Sequence, residues 1–458
     1  MDGGGVDVNT NAVNAAEQSV RFRPAADMPL GYKPTQLGII PADWQIVSLG
    51  EISSFRTGPF GSALHKSDYI EGGIPLINPM HIVDGEIRPA ASATVTVDAC
   101  RRLAAYRFRR KDIVIGRRGD MGRCAVIGDV EVGWLCGTGS LIIRCNGNVD
   151  ASFIQRILTT ERVIRAIENA SVGSTMVNLN QRALSGLQIQ CPPIIEQRAI
   201  AGALSDVDEL LRALDELIAK KRAIKQGTRQ QLLTGRTRLP GFRVEWVPKR
   251  LGDHLTFLRH GINSRAELSR DGQVQYLHYG DIHTTAKVFL DPHWNSLPTL
   301  SNSRAKNLDR LQDGDLVLVD ASEDLEGVGK SVEITAVLGQ EIVSGLHTIA
   351  VRSDKAVLAD GFKAYLQFCP PFRKHLRRLA AGTKVYATNR AHIASVEMLL
   401  PETDEQIAIA AVLSDMETEI EALENRRDKT LAIKQGMMQQ LLTGRIRLMK
   451  PQPTEADS

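Results

Sequence analysis

The residues best suited to chemistry in this chain are cations set beside glycines. Between Phe108 and Cys124 it reads FRRKDIVIGRRGDMGRC. Arg109, Arg110, Lys111, Arg117, Arg118 and Arg123 thus surround a short β-branched run and a glycine-rich turn. Glycines let a backbone approach a ligand closely, and arginines bind phosphates or guanine edges. Two readings fit: a loop facing DNA, or a solvated strand edge. Two further stretches, GSTMVNLNQR (Gly173–Arg182) and GTKVYATNR (Gly382–Arg390), are rich in Asn, Gln, Lys and Arg. Asn and Gln match adenine, and Arg and Lys match guanine and phosphate, although the same residues are common in plain turns. YLHYGDIH (Tyr276–His283) offers aromatic faces, donors and acceptors, or else a core strand with a satisfied histidine. The candidate DNA-binding residues are Lys66, His81, Arg117, Arg118, Arg123, Ser174 and Asn180 in the first half. In the second half they are Tyr276, His278, His283, Lys384, Asn389 and Arg390.

No enzyme motif accompanies them. EGVGKS (Glu326–Ser331) has the end of a phosphate loop, but the glycine required five residues before Gly329 is Asp324, which removes the tight backbone nest. No lysine has Asp or Glu two residues before it, as a metal-dependent nuclease commonly needs. CPPI and CPPF lack the Asn or Asp of an adenine methyltransferase loop, no His/Cys group has zinc spacing, and no GxSxG elbow occurs. The expectation is a binding protein with no catalytic residue and no bound metal or cofactor. A net charge of +3 makes any nucleic-acid surface local. Six cysteines without a CxxC pair point to buried thiols and a reducing cytoplasm. No apolar run reaches the roughly 18 residues of a membrane span.

The elements that must position these loops come in duplicate. AIKQGTRQQLLTGRTRL (Ala223–Leu239) returns as AIKQGMMQQLLTGRIRL (Ala432–Leu448), 209 positions on, and Glu196–Leu239 matches Glu405–Leu448 at roughly 25 of 44 positions without a gap. Upstream the match is weaker but ordered: DWQIVSLGEI with EWVPKRLGDHL, KDIVIGRRGDMG with DGDLVLVDASEDLEG, and the two Gly-Ser/Thr turns. The unit is about 200 residues, a mixed globular domain and then a long helix. Ile200, Leu204, Val207, Leu211, Leu214 and Ile218 keep a 4-3-4-3-4 spacing, as do Ile409, Leu413, Met416, Ile420 and Leu423 without its last step. That is the seam of a coiled coil. Pro192-Pro193 suits a helix start, Thr403 and Gln406 have capping-box spacing, and Gly235 and Gly444 suit helix stops. Each helix should run about 38 residues, roughly 55–60 Å. One seam needs one partner, and the other copy supplies it. An antiparallel pairing would put the globular domains at opposite ends of a rod. KDIVIGR, GDLVLVD, GSLIIRC and LHTIAVR read as strands. DASFIQRILTTERVIRAIEN and GFKAYLQFCPPFRKHLRRLA read as helices.

LGIIPADWQIVSLGEI, GSTMVNLNQRALSGLQIQCPPIIEQRAIAGALSDVDELL and the repeated AIKQGxxQQLLTGRxRL resemble the specificity (S) subunit of type I restriction–modification systems, over about Gln36 to Leu448. The second domain departs from the pattern in leaving through LLPETDEQ without the double proline and in turning at Gly382-Thr383-Lys384. The resemblance implies an α+β chain with an internal pseudo-twofold repeat, in which two mixed α/β target recognition domains are joined by two long antiparallel helices. Residues 1–35, whose Gly, Asn and Asp content reads as a disordered leader, are longer than that plan needs; 36–193 is the first recognition domain and 194–239 the central helix. The second domain is 240–400, the second helix 401–448, and 449–458 a tail. Each domain would read one half of a bipartite, asymmetric site in double-stranded DNA. The helices would set the spacer and dock two modification (M) subunits, which bind S-adenosylmethionine and methylate adenine. Two restriction (R) subunits would add ATP- and Mg-dependent translocation and cleavage. The chain itself would be non-catalytic, cytoplasmic and not membrane-bound.

Two other readings stand beside this one. A nuclease or methyltransferase in its own right would cut or methylate DNA as the purified chain alone. A pure coiled-coil scaffold would leave the methylated motif unchanged when residues 36–193 are exchanged.

Overall fold

The structure, a computed structural model, describes residues 28–170, 179–293, 296–380, 382 and 385–449. The expected leader lies outside the described residues as far as position 27. Its last residues, Tyr32–Thr35, already form a strand antiparallel to Gly38–Pro41. The tail beyond 449 lies outside as well. The chain divides into two compact units. The first takes the chain up to Arg212 and again from Asp428; the second is Ala213–Arg427.

In the first unit a sheet runs in the order Cys124–Val126, Ile113–Gly116, Ser140–Cys145, Ser53–Thr57, antiparallel throughout. Its central strands are buried on both faces, as their continuous apolar runs require. Ile113, Ile115, Leu141 and Ile143 face one core with Phe153, Ile154 and Ile157 of the helix Ala151–Leu158. Val114, Ala125 and Ile142 point the other way, into a core with Ile77 and Phe108. A smaller sheet sets Tyr69–Ile77 parallel to Leu135–Cys136 and antiparallel to Thr94–Val95. Gln45–Ser48 pairs antiparallel with Gln188–Cys191.

The second unit repeats this plan. Its main sheet runs Leu255–Phe257, Thr348–Ser353, Leu316–Val319, Ser331–Ile334, with Phe289–Leu290 added in parallel at the edge. Leu316, Leu318, Ile349 and Val351 face one core, and Val317, Val319, Val332 and Ala350 the other. Val274–Leu277 lies parallel to Ile342–Ser344 and antiparallel to Thr299–Leu300, and Val247–Arg250 pairs with Glu397–Leu400. One polar contact is also duplicated. Asp112, just before its strand, takes two bonds of 2.6 and 2.7 Å from Arg144, and Asp315 takes two of 2.6 and 2.8 Å from Arg352. The two stretches read as single helices are each broken. Thr159 and Thr160 separate Ala151–Leu158 from Glu161–Ala170. In the second unit a 3₁₀ segment, Lys363–Phe368, gives way to the helix Pro370–Leu379, whose prolines occupy the first turn where no intrahelical bond is lost.

The long helices are Ile194–Leu232 and Thr403–Leu441, 39 residues each. The start of the central helix packs with the end of the C-terminal helix in the first unit. The second unit contains the reverse arrangement, so the pairing is antiparallel in both. Ile200, Leu204, Leu214, Ile218, Ile409, Leu413 and Ile420 are buried on the seam, and Val207, Leu211, Met416 and Leu423 are half-buried. Beyond the apolar stretch the seam turns polar at matched positions. Lys434 pairs with Asp208 at 2.5 Å in the first unit, and Lys225 pairs with Glu417 in the second.

A duplicated clasp closes each unit. In the first, Arg447 donates to Glu196 at 2.6 and 2.7 Å and to Asp43 at 2.8 and 2.9 Å, and the Trp44 indole donates to Glu196 at 2.9 Å. In the second, Arg238 donates to Glu405 at 2.5 and 2.6 Å, and Trp246 to Glu405 at 3.1 Å. Gly444 (φ 69°) ends its helix against Trp44, where an added Cβ would lie 2.5 Å from Pro41 Cδ; Gly235 (φ 67°) faces Trp246 in the same way. The capping box expected of Thr403 and Gln406 does not form. Gln406 is buried, donating to Pro401 and Val357 carbonyls and accepting from Ala359 N. Its counterpart Gln197 donates to the Pro192 carbonyl and accepts from Asp150 N. Pro192-Pro193 stands just ahead of the central helix, with the Pro193 carbonyl accepting from Gln197 N.

Candidate nucleic-acid interface

In the first unit three loops meet where strands of both sheets end. Tyr69–Ile77 runs into a 3₁₀ turn, Pro79–His81. His81 is buried, and its Nδ1 accepts from Asn78 N at 3.2 Å, so its ring fixes the turn and is not a surface group. Its neighbour Met80 is 72% exposed at the tip. Asn78 Oδ1 accepts from Gly139 N at 3.3 Å, and a Cβ on Gly137 would lie 2.2 Å from that oxygen, so only glycine fits there. Gly139 in turn accepts from Arg117 N at 2.9 Å.

The six-cation stretch is divided by its own strand. Arg109, Arg110 and Lys111 precede Ile113–Gly116, while Arg117, Arg118 and Arg123 follow it, about 13 Å away at ~3.3 Å per residue. Only the second group shares an end of the sheet with Met80 and Gly139. Within it Arg117 is half-buried and donates Nε to the Leu179 carbonyl at 3.0 Å. Burial, and then the charge of Arg118, draws its guanidinium below the usual arginine range. Arg123 pairs with Asp120 at 3.2 Å. Arg118 is exposed, and no described acidic residue pairs with it. Asn180 caps the helix Gln181–Ser185, accepting from Ala183 N at 2.8 Å. Lys66 is exposed at the far, entering end of Tyr69–Ile77. Ser174 lies outside the described residues.

The second unit builds the same corner with other side chains. Val274–Leu277 runs into the turn that opens the helix Tyr279–Thr284. His278 is buried, its Nδ1 accepting from Gly280 N at 3.3 Å, while Asp281 accepts from His278 N at 3.1 Å in the role His81 has in the first unit. Burial holds the His278 imidazole below the usual histidine range, partly offset by Asp281. Tyr276 is fully buried. Its hydroxyl donates to the Asn263 carbonyl at 3.1 Å and accepts from Leu346 N at 2.9 Å, so it is a core residue and not a reader. The aromatic at the turn itself is Tyr279, half-buried against the edge of the core. Its ring meets His278 at 4.5 Å and, edge-on, His347 at 5.4 Å and His283 at 5.9 Å. His283 donates Nε2 to the Ala321 carbonyl at 3.1 Å. His347 holds a positive φ of 55°, the position glycine 139 fills in the first unit, and contacts Asp320 at 3.2 Å. Asn389 caps Arg390–Ala394, accepting from His392 N at 3.0 Å. Arg390 donates to the Leu258 carbonyl at 2.8 Å across the Phe257 ring. Lys384 lies outside the described residues.

Met80, Tyr279 and His347 are thus tip residues missing from the sequence candidates. Pairing GTGSLIIR (Gly137–Arg144) with GLHTIAVR (Gly345–Arg352) puts His347 opposite Gly139 and would have singled it out. Among the described residues no His, Cys, Asp and Glu group could hold a metal ion, and no helix is long and apolar enough to cross a membrane.

Residues 41–225 match the sequence model of the family described as the type I restriction modification DNA specificity domain. Across nearly its whole length the chain is similar to type I restriction enzyme specificity subunits. It is 22% identical to the type I restriction enzyme MjaVIII specificity subunit of Methanocaldococcus jannaschii, over 89% of this chain and 94% of that protein. It is also 22% identical to the EcoKI specificity subunit of Escherichia coli K12, over 88% and 89%. A crystal structure of a type I restriction–modification S subunit from M. genitalium shares the fold, with a TM-score of 0.52 at 14% identity over 87% of this chain and 96% of that one.

Proposed function

We propose that the chain reads a bipartite, asymmetric sequence in double-stranded DNA for a type I restriction–modification complex, one half-site per unit, and performs no catalysis itself. The observation that carries this reading is one frame bearing unlike tips. Pro79 and Met80 stand where the second unit has Tyr279 and Gly280, Gly139 where it has His347, and Arg117 where it has Asp320. Such positions have different donors, acceptors and charge, as two different base sequences demand. The paired helices serve as spacer and as docking surface for two M subunits, which supply S-adenosylmethionine and adenine methylation; two R subunits bring ATP, Mg and cleavage in the cytoplasm. Base flipping and chemistry then belong to those partners.

Methylome sequencing of cells making this chain with its M partner tests the reading. A two-part adenine motif with a fixed gap is expected, and exchanging residues 36–193 should change one half alone. Methylation lost without any change of motif would count against it. Inserting four residues near Leu214 lengthens that helix by about 6 Å and should lengthen the gap while both half-sites stay the same.

A further inference from the structure

The repeat supplies its own control for a cavity in the second unit. This cavity, about 310 Å³, is lined by Arg229, Lys287, Lys330, Glu326, Phe368 and Arg373, among others. Four of these six are cations and one is an acid. Lys287 is answered by Glu421 at 3.0 Å, and Arg373 by Glu326, which also takes Arg377. Arg229 and Lys330 have no carboxylate partner among the described residues. Arg229 sits over the Phe368 ring, its Cζ 3.7 Å from the centroid, and no described group accepts a hydrogen bond from its guanidinium. Stacking occupies the face of the guanidinium and leaves its N–H rim for an acceptor. Lys330 Nζ spends two bonds of 2.7 Å on the His283 and Thr285 carbonyls, which leaves one of its three donors.

The first unit cancels both charges. Arg229 belongs to the doubled phrase, and its counterpart 209 positions on is Met438, which packs against the core. Lys330 matches Arg123: the carbonyls of Lys330 and Arg123 accept from Val319 N and Gly116 N in the same ladder position. Arg123 pairs with Asp120, but where the first unit has that aspartate the second has Gly327. Burial draws both Arg229 and Lys330 below their ordinary ranges, with Arg373 adding to the effect on Arg229. Half-buried cations whose remaining donors meet no direct carboxylate partner are stabilised by an anion from outside.

We infer that this cavity is an anion site for a phosphate group, peculiar to the second unit, with Arg229 and Lys330 as its ligands. A phosphate offers several acceptor oxygens in a planar-compatible fork with arginine. The two sources of such a group are the DNA backbone and a free phosphate or nucleotide.

The test uses the full chain and Arg229→Met, which restores the residue the repeat carries at 438. Replacing chloride by inorganic phosphate at constant ionic strength should raise the thermal midpoint of the wild-type chain saturably. Arg229→Met should keep only the unsaturable salting effect common to both. In DNA titrations a backbone phosphate in the site predicts a salt slope smaller by about one for the variant and an affinity about tenfold weaker. A lost phosphate response with an unchanged slope supports the site and assigns it to a free phosphate or nucleotide. No specific phosphate response in the wild type, together with an unchanged slope, overturns it. Arg229→Gln serves if the methionine variant does not fold. The phosphate arm needs no DNA, so it stands or falls apart from the bipartite reading.

Discussion

Removing Arg447 should unlatch the first unit. Its guanidinium is the hub of the clasp, with two bonds to Glu196 and two to Asp43. Glu196 is 2% exposed, and without Arg447 its carboxylate keeps only the Trp44 indole as a side-chain donor. Breaking a buried pair from one side costs about 3–5 kcal/mol. Asp43 and Arg447 reach some water, with side chains 18% and 15% exposed, so the lower end applies, about 3 kcal/mol. At ~2–4 °C per kcal/mol for a unit of this size, Arg447→Ala should lower the midpoint of the first unit by about 6–12 °C. Scanning calorimetry of the full chain reads this directly, with Arg445→Ala as the control, since Arg445 is exposed in the same phrase. Burial sharpens the assignment. The cost is mostly that of a stranded Glu196, so Arg447→Ala combined with Glu196→Gln should recover part of the loss. Equal shifts for Arg447→Ala and Arg445→Ala, or no recovery in the double variant, would refute the reasoning.

Three other outcomes follow from the geometry. Arg118→Ala should reduce the salt slope of DNA binding by about one with little change in stability, whereas Arg117→Ala should cost stability, about 1–2 kcal/mol, because its guanidinium holds the Leu179 carbonyl; parallel DNA titrations and melts separate the two. Tyr279→Ala should alter a single half-site in the methylome, while Tyr276→Phe, which strands Leu346 N, should lower the melting midpoint and leave the motif intact. His278 and His375 are both held below the usual histidine range, chiefly by burial, so the unfolded chain takes up protons first as pH falls. Their contribution is full above about pH 6.5 and declines as pH drops toward the folded values. The second unit should therefore melt lower at pH 5.5 than at 7.5, and His375→Gln should reduce that difference; a rise at pH 5.5 would give the wrong sign.

The features legible in the sequence are those with a local period. The seam from Ile200 to Ile218, the strands around Ile113 and Leu316, and the stops at Gly235 and Gly444 each follow from spacing within a few residues. What sequence spacing hid was direction. His81 and Met80 are neighbours, but the Asn78 amide turns one inward and leaves the other at the tip. Tyr276 and Tyr279 fall either side of a strand end, so one is fully buried and the other half-buried at the turn. The arginine run looked contiguous because a strand of four residues is short in sequence and long in space. Thr403 and Gln406 had capping spacing, yet Gln406 answers loop carbonyls near Val357, almost 50 positions away, which no local rule sees.

The clasps explain why one part of the repeat is nearly identical and the rest is not. The phrase Ala223–Leu239 ends in the second unit and Ala432–Leu448 in the first, so each copy is read by the other copy's helix start. Lys225 must meet Glu417 as Lys434 meets Asp208, Gly235 must clear Trp246 as Gly444 clears Trp44, and Arg238 and Arg447 must each find a buried glutamate. Equal sockets demand equal plugs, and a change in one copy alone breaks a match. The tips at Met80, Tyr279 and His347 touch no such socket and are free to differ. The one pair of consecutive differences inside the phrase before its closing arginines is Thr228-Arg229 against Met437-Met438. In the first unit both methionines pack against the core; in the second, Arg229 instead lines the cavity beside Lys330. The exception falls at the cavity in the second unit and at the core in the first, which is why a phosphate site is placed there and a packing role at 438.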